Sequence, residues 1–353
     1  ACSHGFRGVL QYGWTKVQAQ TLHAVAYGVL RMDENEDVGV RRRAFLSVTP
    51  PVTPREKPCV KRDEAPIAGT FISRPNRFFA EVMLGSVVER AGRSPRLGPW
   101  LERPEARGGT EEGASGGASR MVGAHVADPG RLEELLVPGR LVYLASARTK
   151  SLGGFEAPAP DSVAPRPMAA RRHGPCEPQG SRRKTSYDLA LVDHEGLLVS
   201  VDSRVPNDLV FVGLQVGFFP DLALYSEVRR ECAYGESRMD FRLSGSAAGD
   251  CLLEVKSVTL VRGGRALFPD APTARGLRHV RELARAVAQG LRAIVVFVIQ
   301  REDADSLSPN DETDPAFGAG LREAVRSGVE VRAYTCRVAL DRICLHREVP
   351  VVL

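Results

Sequence analysis

One stretch limits the fold more than any other: Arg292 to Ile299, RAIVVFVI, an unbroken apolar run rich in β-branched residues. A strand with no polar face must be covered on both faces, so it belongs at the buried centre of a mixed sheet. Its apolar part, Ala293 to Ile299, falls far short of the roughly 20 residues of a membrane-spanning helix. The chain therefore reads as a soluble protein.

The segments around it alternate. Leu189 to Val192 and Leu197 to Val201 read as paired strands. Asn207 is expected to cap a helix running to about Gln215, with Gly217 breaking it. Asp240 to Leu243 and Cys251 to Val261 follow as strands, and Gly263–Gly264 makes a tight turn into Arg265 to Phe268. A helix follows Thr273 and ends at Gly290, with Leu277, Val280, Leu283, Ala284 and Val287 as its apolar stripe. Asp314 followed by Pro315 opens another helix that Gly328 closes, and Val329 to Val338 is the last clear strand. This is an α/β domain with a mixed sheet flanked by helices.

At 353 residues the chain has room for a second domain. Before Tyr187, Gly69 to Val82 and Arg140 to Leu144 read as strands and Arg131 to Leu136 as a short helical turn. Short strands separated by long polar loops point to a small β-barrel, with an oligonucleotide-binding (OB) barrel as one candidate. Two segments look inserted: Arg93 to Gly123, which includes GGTEEGASGGAS, and the proline- and arginine-rich Ser146 to Arg183. Neither carries enough apolar surface to offset its ordering entropy. Solvation is the plain reading of the basic pair Arg171–Arg172 there, and sequence-independent phosphate contact the alternative. The resulting division is a poorly ordered N-terminal extension over 1–65, a barrel over 66–147 with a disordered insert at about 93–123, a flexible insert over 148–183 and an α/β domain over 184–353. Within the extension, the proline- and charge-rich Val48 to Pro66 reads as a linker. The lack of acidic residues before Asp33 resembles an organelle transit segment, against the plainer reading of a tail without folding consequence.

Lysine and arginine exceed aspartate and glutamate by 48 to 43, a mild basic excess that permits a polyanionic partner without requiring one. The seven cysteines form no C-x-x-C pair. They are read as reduced thiols, and Cys344-x-His346 as two strand residues rather than half a zinc site. P-loop, nucleophile-elbow and H-E-x-x-H patterns are missing from the sequence.

The chemistry concentrates in SRMDF (237–241) and LEVKS (253–257). Glu254 and Lys256 stand two apart on a predicted strand, so both point to one face. A hairpin connection would bring Asp240 beside Glu254. Two carboxylates and the Val255 carbonyl make an oxygen-rich site suited to Mg²⁺ or Mn²⁺. Lys256 would orient a water there and stabilise charge on a scissile phosphate. Glu227, read as lying on a helix, would add a water-mediated ligand. The Thr273–Gly290 helix offers Arg275, Arg278, His279, Glu282 and Arg285 away from its apolar stripe, a basic face beside an acidic site. Alternating charge on a strand is also what a solvent-facing edge looks like, and an exposed helix with i,i+4 pairs would explain the arginines equally. His279 with Glu282 has helical metal-ligand spacing but lacks a third ligand.

These residues and their neighbours resemble the bacterial sugar fermentation stimulation protein family. The resemblance runs through GTFISRPNRFFAEV, AHVADPGRLEELLVPG, RRKTSYDLALV, VDSRVPNDLV, YGESRMDF, CLLEVKSVTL, ALFPDAPTARGLRHVREL, SPNDETDPAFGAGLREA and the terminal VPVVL. It implies an N-terminal OB barrel followed by a domain like the PD-(D/E)xK nucleases. Asp240 and Glu254 would then hold the metal, Lys256 would complete the catalytic set and Glu227 would stand at the helical acidic position. Arg77 and Arg131 on the barrel join Arg275, Arg278, His279 and Arg285 as expected nucleic-acid contacts. Such a chain would bind DNA or RNA in the cytoplasm, with nucleoid association and homodimerisation as further expectations. Asp128 stands where the family leads one to expect Asn, which could weaken polar contacts near the barrel. The two inserts could mask the barrel's surface, and residues 1–65 have no recognised counterpart. Two functions follow: a Mg²⁺- or Mn²⁺-dependent hydrolase of phosphodiester bonds, or a DNA-binding regulator of sugar-utilisation genes that does not cut.

Overall fold

The structure, a computed structural model, describes residues 57–85, 119–147 and 185–353. The transit-like start, most of the Arg93–Gly123 insert and Arg171–Arg172 lie outside the described residues. After a short first strand β1 (Cys59–Lys61) come β2 (Ile67–Asn76), β3 (Phe79–Leu84), β4 (Arg120–His125), β5 (Leu141–Ser146) and β6 (Tyr187–His194). These five pair in the order β4-β3-β2-β5-β6, and a parallel pairing of Ala124 with Tyr187 joins β4 to β6 and closes a five-stranded barrel. Closure needs curvature, and β2 supplies it with register shifts between Phe71 and Ser73 and between Ser73 and Asn76. Phe71, Ala80, Val82, Val122, Ala124, Leu144 and Leu189 fill the interior. The segment RLEELL turns back on itself, the Leu135 and Leu136 amides donating to the Leu132 carbonyl, and buries Leu132, Leu135 and Leu136 in that core. β4 begins at Arg120, inside the segment expected to be an insert; Val122 and Ala124 alternate inward and hold it in the barrel.

β7 (Leu197–Ser200) pairs with β6, and α1 (Val205–Gln215) and a short turn of 3₁₀ helix (Pro220–Leu222) lead into the second body. There follow β8 (Glu227–Tyr234), β9 (Ser237–Ser244), β10 (Cys251–Val258), the small strands β11 (Val261–Arg262) and β12 (Arg265–Phe268), α2 (Ala274–Ala288), β13 (Arg292–Ile299), β14 (Ser306–Pro309), α3 (Pro315–Arg326), β15 (Glu330–Val338) and β16 (Arg342–Val349). The main sheet runs β1-β16-β15-β13-β10-β9-β8, parallel only at β10–β13 and β13–β15. β13 is central, as its apolar run requires, and both faces are covered. α2 and α3 bury Val280, Leu283, Phe317 and Leu321 on one face, and α1 buries Val205, Leu209 and Val210 on the other. β11, β12 and β14 form a separate three-stranded sheet. Its Gly263–Gly264 turn has positive φ at both glycines (54° and 76°), as a two-residue hairpin of this kind needs.

Caps follow expectation for α2, where the Thr273 hydroxyl accepts from the Gly276 amide, and for α3, where Asp314 accepts from Phe317. They do not for α1. That helix starts at Val205 with Arg204 as its cap residue, and Asn207 sits inside the first turn with its side chain directed elsewhere.

Three further expectations are corrected. The α/β domain does not begin at 184, because Tyr187–His194 and Leu197–Ser200 pair within the barrel sheet. The 1–65 segment is not wholly an unordered extension, because Cys59–Lys61 pairs antiparallel with β16 and forms the sheet's edge. Cys59 and Cys344 lie opposite each other across that pairing and form a disulfide, so two of the thiols read as reduced are oxidised. A sequence separation of 285 residues hid the partnership. Cys232, Cys251 and Cys336 are free thiols.

Candidate active site

The site forms where β9 and β10 part. Their ladder runs from Cys251↔Leu243 to Leu253↔Phe241 and stops. Beyond it, the Val255 amide donates to Oδ2 of Asp240 at 2.7 Å, so a side-chain carboxylate takes the place of a backbone carbonyl. β9 also changes face there: Met239 packs beneath α2, whereas Phe241 and Leu243 pack beneath α1. On β8, Glu231 lies between the pairs Arg230↔Phe241 and Cys232↔Met239 with φ of 58°, a costly conformation for a residue with a Cβ.

Asp240 is held from the opposite side by Asn207 of α1, whose Nδ2 donates to Oδ1 at 2.8 Å. Burial raises the Asp240 carboxyl pKa to about 6, the nearby Glu254 adds to the rise, and the Val255 amide and Lys256 oppose it. A cation bound beside it would favour the ionised carboxylate, with the proton competing below about pH 6.

Glu254 is 3% exposed. The alternation of β10 places it with Lys256 on the α2 side, between Leu252 and Val258, while Leu253 and Val255 face α1. Its Oε1 accepts from both Lys256 Nζ and His279 Nδ1. Burial alone would raise this carboxyl; Lys256 and the His279 hydrogen bond outweigh it and hold the pKa at about 2. Oε2 of Glu254 is buried and, among the described residues, has no hydrogen-bond partner. On β10 the Asp250 and Val258 carbonyls accept from the β13 side, so alternation turns the Val255 carbonyl toward β9 and Asp240.

The structure thus brings Asp240, Glu254 and Lys256 together as expected. It does not bring Glu227 to them. That residue opens strand β8, is exposed, and accepts from the Ser244 hydroxyl at 3.1 Å. His279 and Glu282 are also displaced from the expected outward face of α2, being 2% and 3% exposed. Helical spacing puts both in phase with the buried Gly276, Val280, Leu283 and Ala286. Arg275, Arg278 and Arg285 do face solvent, bonded respectively to His279, Ser237 and Glu282. Arg77 and Arg131 are exposed on the barrel. Asn207, which the sequence presents as a helix cap, joins the site through Asp240, a partner that no local pattern reveals.

Among the described residues no helix is long and apolar enough to cross a membrane, and no three His, Cys, Asp or Glu side chains converge on a common metal position. Residues 204–342 match the sugar fermentation stimulation protein RE domain, and residues 72–152 the SfsA N-terminal OB domain. A sugar fermentation stimulation protein homolog of Moorella thermoacetica is 42% identical over 272 residues, covering 77% of this chain and 90% of its own. The chain belongs to the sugar fermentation stimulation protein family. A homolog from Desulforamulus reducens is 43% identical over 67% of this chain and 85% of its own length. The solved structure of Pyrococcus furiosus SfsA in complex with Ca²⁺ shares the fold, with a TM-score of 0.61 at 24% identity over 84% of this chain and 100% of that one.

In this member of the sugar fermentation stimulation family the barrel is seated directly against the strand that carries the site. Ser257, next to Lys256, donates to Oδ2 of Asp128 at 3.4 Å, and Gln300 donates to the same hydroxyl at 2.9 Å. Asp128 also accepts from the Gly130 amide, so the carboxylate standing in place of the expected Asn keeps its polar contacts. Burial pushes its pKa up to about 6 against the pull of the Gly130 amide, with Asp270 adding to the rise. Asp270 accepts from the Leu132 amide at 3.2 Å, and a Cβ at Gly130 would displace the Asp270 carboxylate from its present position. Arg204 clasps Asp188 of the barrel and Asp202 of the connecting strand end.

Proposed function

We propose that the chain is a metal-dependent hydrolase of phosphodiester bonds in nucleic acid. The observation that carries this reading is the unpartnered, buried Oε2 of Glu254 beside a carboxyl that holds its proton to about pH 6. An orphaned carboxylate oxygen costs the fold roughly 1–3 kcal/mol or more, and a divalent cation would supply its missing partner. Asp240, Glu254 and the Val255 carbonyl would hold that ion. Two carboxylates with waters and a substrate phosphate suit Mg²⁺ or Mn²⁺, which keep several waters and do not need a full protein cage. The Ca²⁺ in the Pyrococcus furiosus structure, an oxygen-seeking cation, is consistent with this donor set. When bound, the ion would polarise the phosphate and lower the pKa of its water.

The remaining roles fall to the protein's own groups. Lys256 Nζ, tethered to Oε1 of Glu254, places a positive charge where an attacking water and a scissile phosphate would meet. His279 fixes the orientation of Glu254 from below. The exposed Arg275, Arg278 and Arg285 present a cationic helix face to the backbone of a bound strand. The OB barrel supports nucleic acid as the substrate class.

The test is incubation of the purified chain with end-labelled single-stranded DNA, duplex DNA and RNA, each with Mg²⁺, Mn²⁺ or EDTA. Metal-dependent cutting that disappears in Asp240→Ala and Lys256→Ala is the expected result. Nucleic acid retarded but uncut would overturn hydrolysis and leave the regulator of sugar-utilisation genes; neither binding nor cutting would remove both.

A further inference from the structure

The tip of the β2–β3 hairpin is pinned more firmly than a solvent-facing turn requires. Asn76 Oδ1 accepts the Phe78 amide at 2.9 Å. The Phe78 carbonyl accepts the Val126 amide at 3.0 Å and lies 3.1 Å from His125 Nδ1. Arg74 Nη2 donates to the Arg77 carbonyl at 2.6 Å, while its other amino group bonds the Gly130 and Arg131 carbonyls. This turn presents two side chains outward. Phe78 is 49% exposed, and the Arg77 guanidinium lies 5.9 Å from the centre of its ring. A single exposed aromatic is ordinary on a protein surface. One whose backbone is already fixed loses little further entropy when a flat ligand settles on it.

The tip also borders a cleft of about 450 Å³ between the barrel and the segment that precedes α2, lined by Arg77, Arg131, Gly130 and Pro272. Among the described residues neither Arg77 nor Arg131 has an ion-pair partner, and Glu133 is the one acidic side chain on the cleft wall. The loop that supplies Gly130 and Arg131 to the cleft also carries Asp128, which meets Ser257 on β10, the strand of Glu254 and Lys256.

We infer that this cleft is a subsite for single-stranded nucleic acid. One base stacks on the free face of Phe78, the flanking phosphates pair with Arg77 and Arg131, and the strand continues past the Asp128 loop toward Lys256. A duplex offers phosphates here but no free base face, because its bases are already stacked on one another. Stacking does not read the sugar, so the shared chemistry is an unpaired strand of either DNA or RNA. The inference rests on the hydrolase reading for the direction of the strand, but binding at Phe78 is measured without turnover.

The experiment is fluorescence anisotropy in EDTA with labelled oligo(dT), oligo(rU) and a DNA duplex of equal length, using the full chain and Phe78→Ala, Phe78→Leu and Phe78→Tyr. Loss of stacking should weaken single-strand binding by about tenfold or more in the alanine and leucine variants. The tyrosine variant should match the parent, and duplex binding should not change in any of them. Which oligonucleotide shows the loss tells DNA from RNA. Changing Arg77 and Arg131 together to alanine should lower the slope of log K against log salt by about 0.7 for each phosphate that is no longer neutralised. Parent-like binding of single strands by Phe78→Ala, rescue by leucine, or an equal loss on duplex would overturn the subsite. A parent chain that binds and cuts while Phe78→Ala is indistinguishable from it removes this inference alone; a parent chain that binds nothing removes the hydrolase reading as well.

Discussion

His279 donates its Nδ1 proton to Oε1 of Glu254, while its Nε2 lies 3.3 Å from the Nε of Arg275. A guanidinium can only donate, so Nε2 is the nitrogen that faces Arg275 and Nδ1 the one that faces the carboxylate. The histidine is therefore a buried strut between a surface arginine and a buried carboxylate, rather than a nucleic-acid contact. His279→Ala should lower turnover or Mn²⁺ affinity about 10–100-fold while leaving the affinity for uncut nucleic acid within about twofold. Paired measurements of cleavage rate and of binding in EDTA separate the two.

Lys256→Ala should abolish cutting with little effect on binding, since Lys256 is partly buried and bonded to Glu254 rather than directed at solvent. Detectable metal-dependent cleavage by this variant would show that the attacking water is positioned by another group. A thermal melt alongside checks that the fold survives.

Asn207 reaches from α1 to Asp240 and is the polar side chain that ties that helix to the carboxylate pair. Replacing it by alanine removes a donor that lowers the Asp240 pKa. Mn²⁺ binding followed by calorimetry should weaken about 10–100-fold, and weaken more at pH 6 than at pH 8, because the proton then competes harder for Asp240.

Asp128 gives a pH signature independent of the metal. Its folded-state pKa, about 6, lies above the ordinary 3.8. Between those values the folded chain binds the additional proton, so the contribution of Asp128 is most favourable below pH 4 and is lost as pH rises through 6. Asp128→Asn keeps an acceptor for the Gly130 amide and removes the charge. It should stabilise the chain by roughly 1–3 kcal/mol at pH 7.5 and by nearly nothing at pH 4, read from urea unfolding of variant and parent at both values.

Glu227→Gln should leave cleavage unchanged, because the carboxylate opens an exposed strand and serves only the Ser244 hydroxyl. A tenfold loss of rate would place it in the site after all.

The elements with a strong local pattern were legible from the residues alone. The apolar run of β13, the Thr273 and Asp314 caps and the Gly263–Gly264 turn carry their geometry within a few positions. So did the two-residue spacing of Glu254 and Lys256. What could not be read were relationships set by distant partners. Glu227 reads as helical from the sequence, yet it opens an edge strand, which tolerates charge on its open side. Asn207 fits a cap equally well by composition, and only the proximity of Asp240 decides its role. His279 carried a usable signal, since it lies in register with Gly276 and Leu283, but a polar residue on that stripe was read as belonging outside. Cys59 and Cys344 gave no cue at all.

The pairing of β1 with β16 changes what counts as a separable piece of this chain. The α/β sheet receives its first strand before the barrel begins and its other strands after the barrel ends, so the barrel is spliced into its host rather than strung ahead of it. A fragment that begins after the barrel sheet's last strand, Leu197–Ser200, would forfeit Cys59–Lys61, strand Cys344 without its bonded partner and bare the backbone of β16. An uncapped strand recruits whatever strand it meets. Dissecting the two bodies by truncation would therefore report on a sticky remnant, whereas a circularly permuted chain that carries residues 57–61 along would report on the α/β body itself.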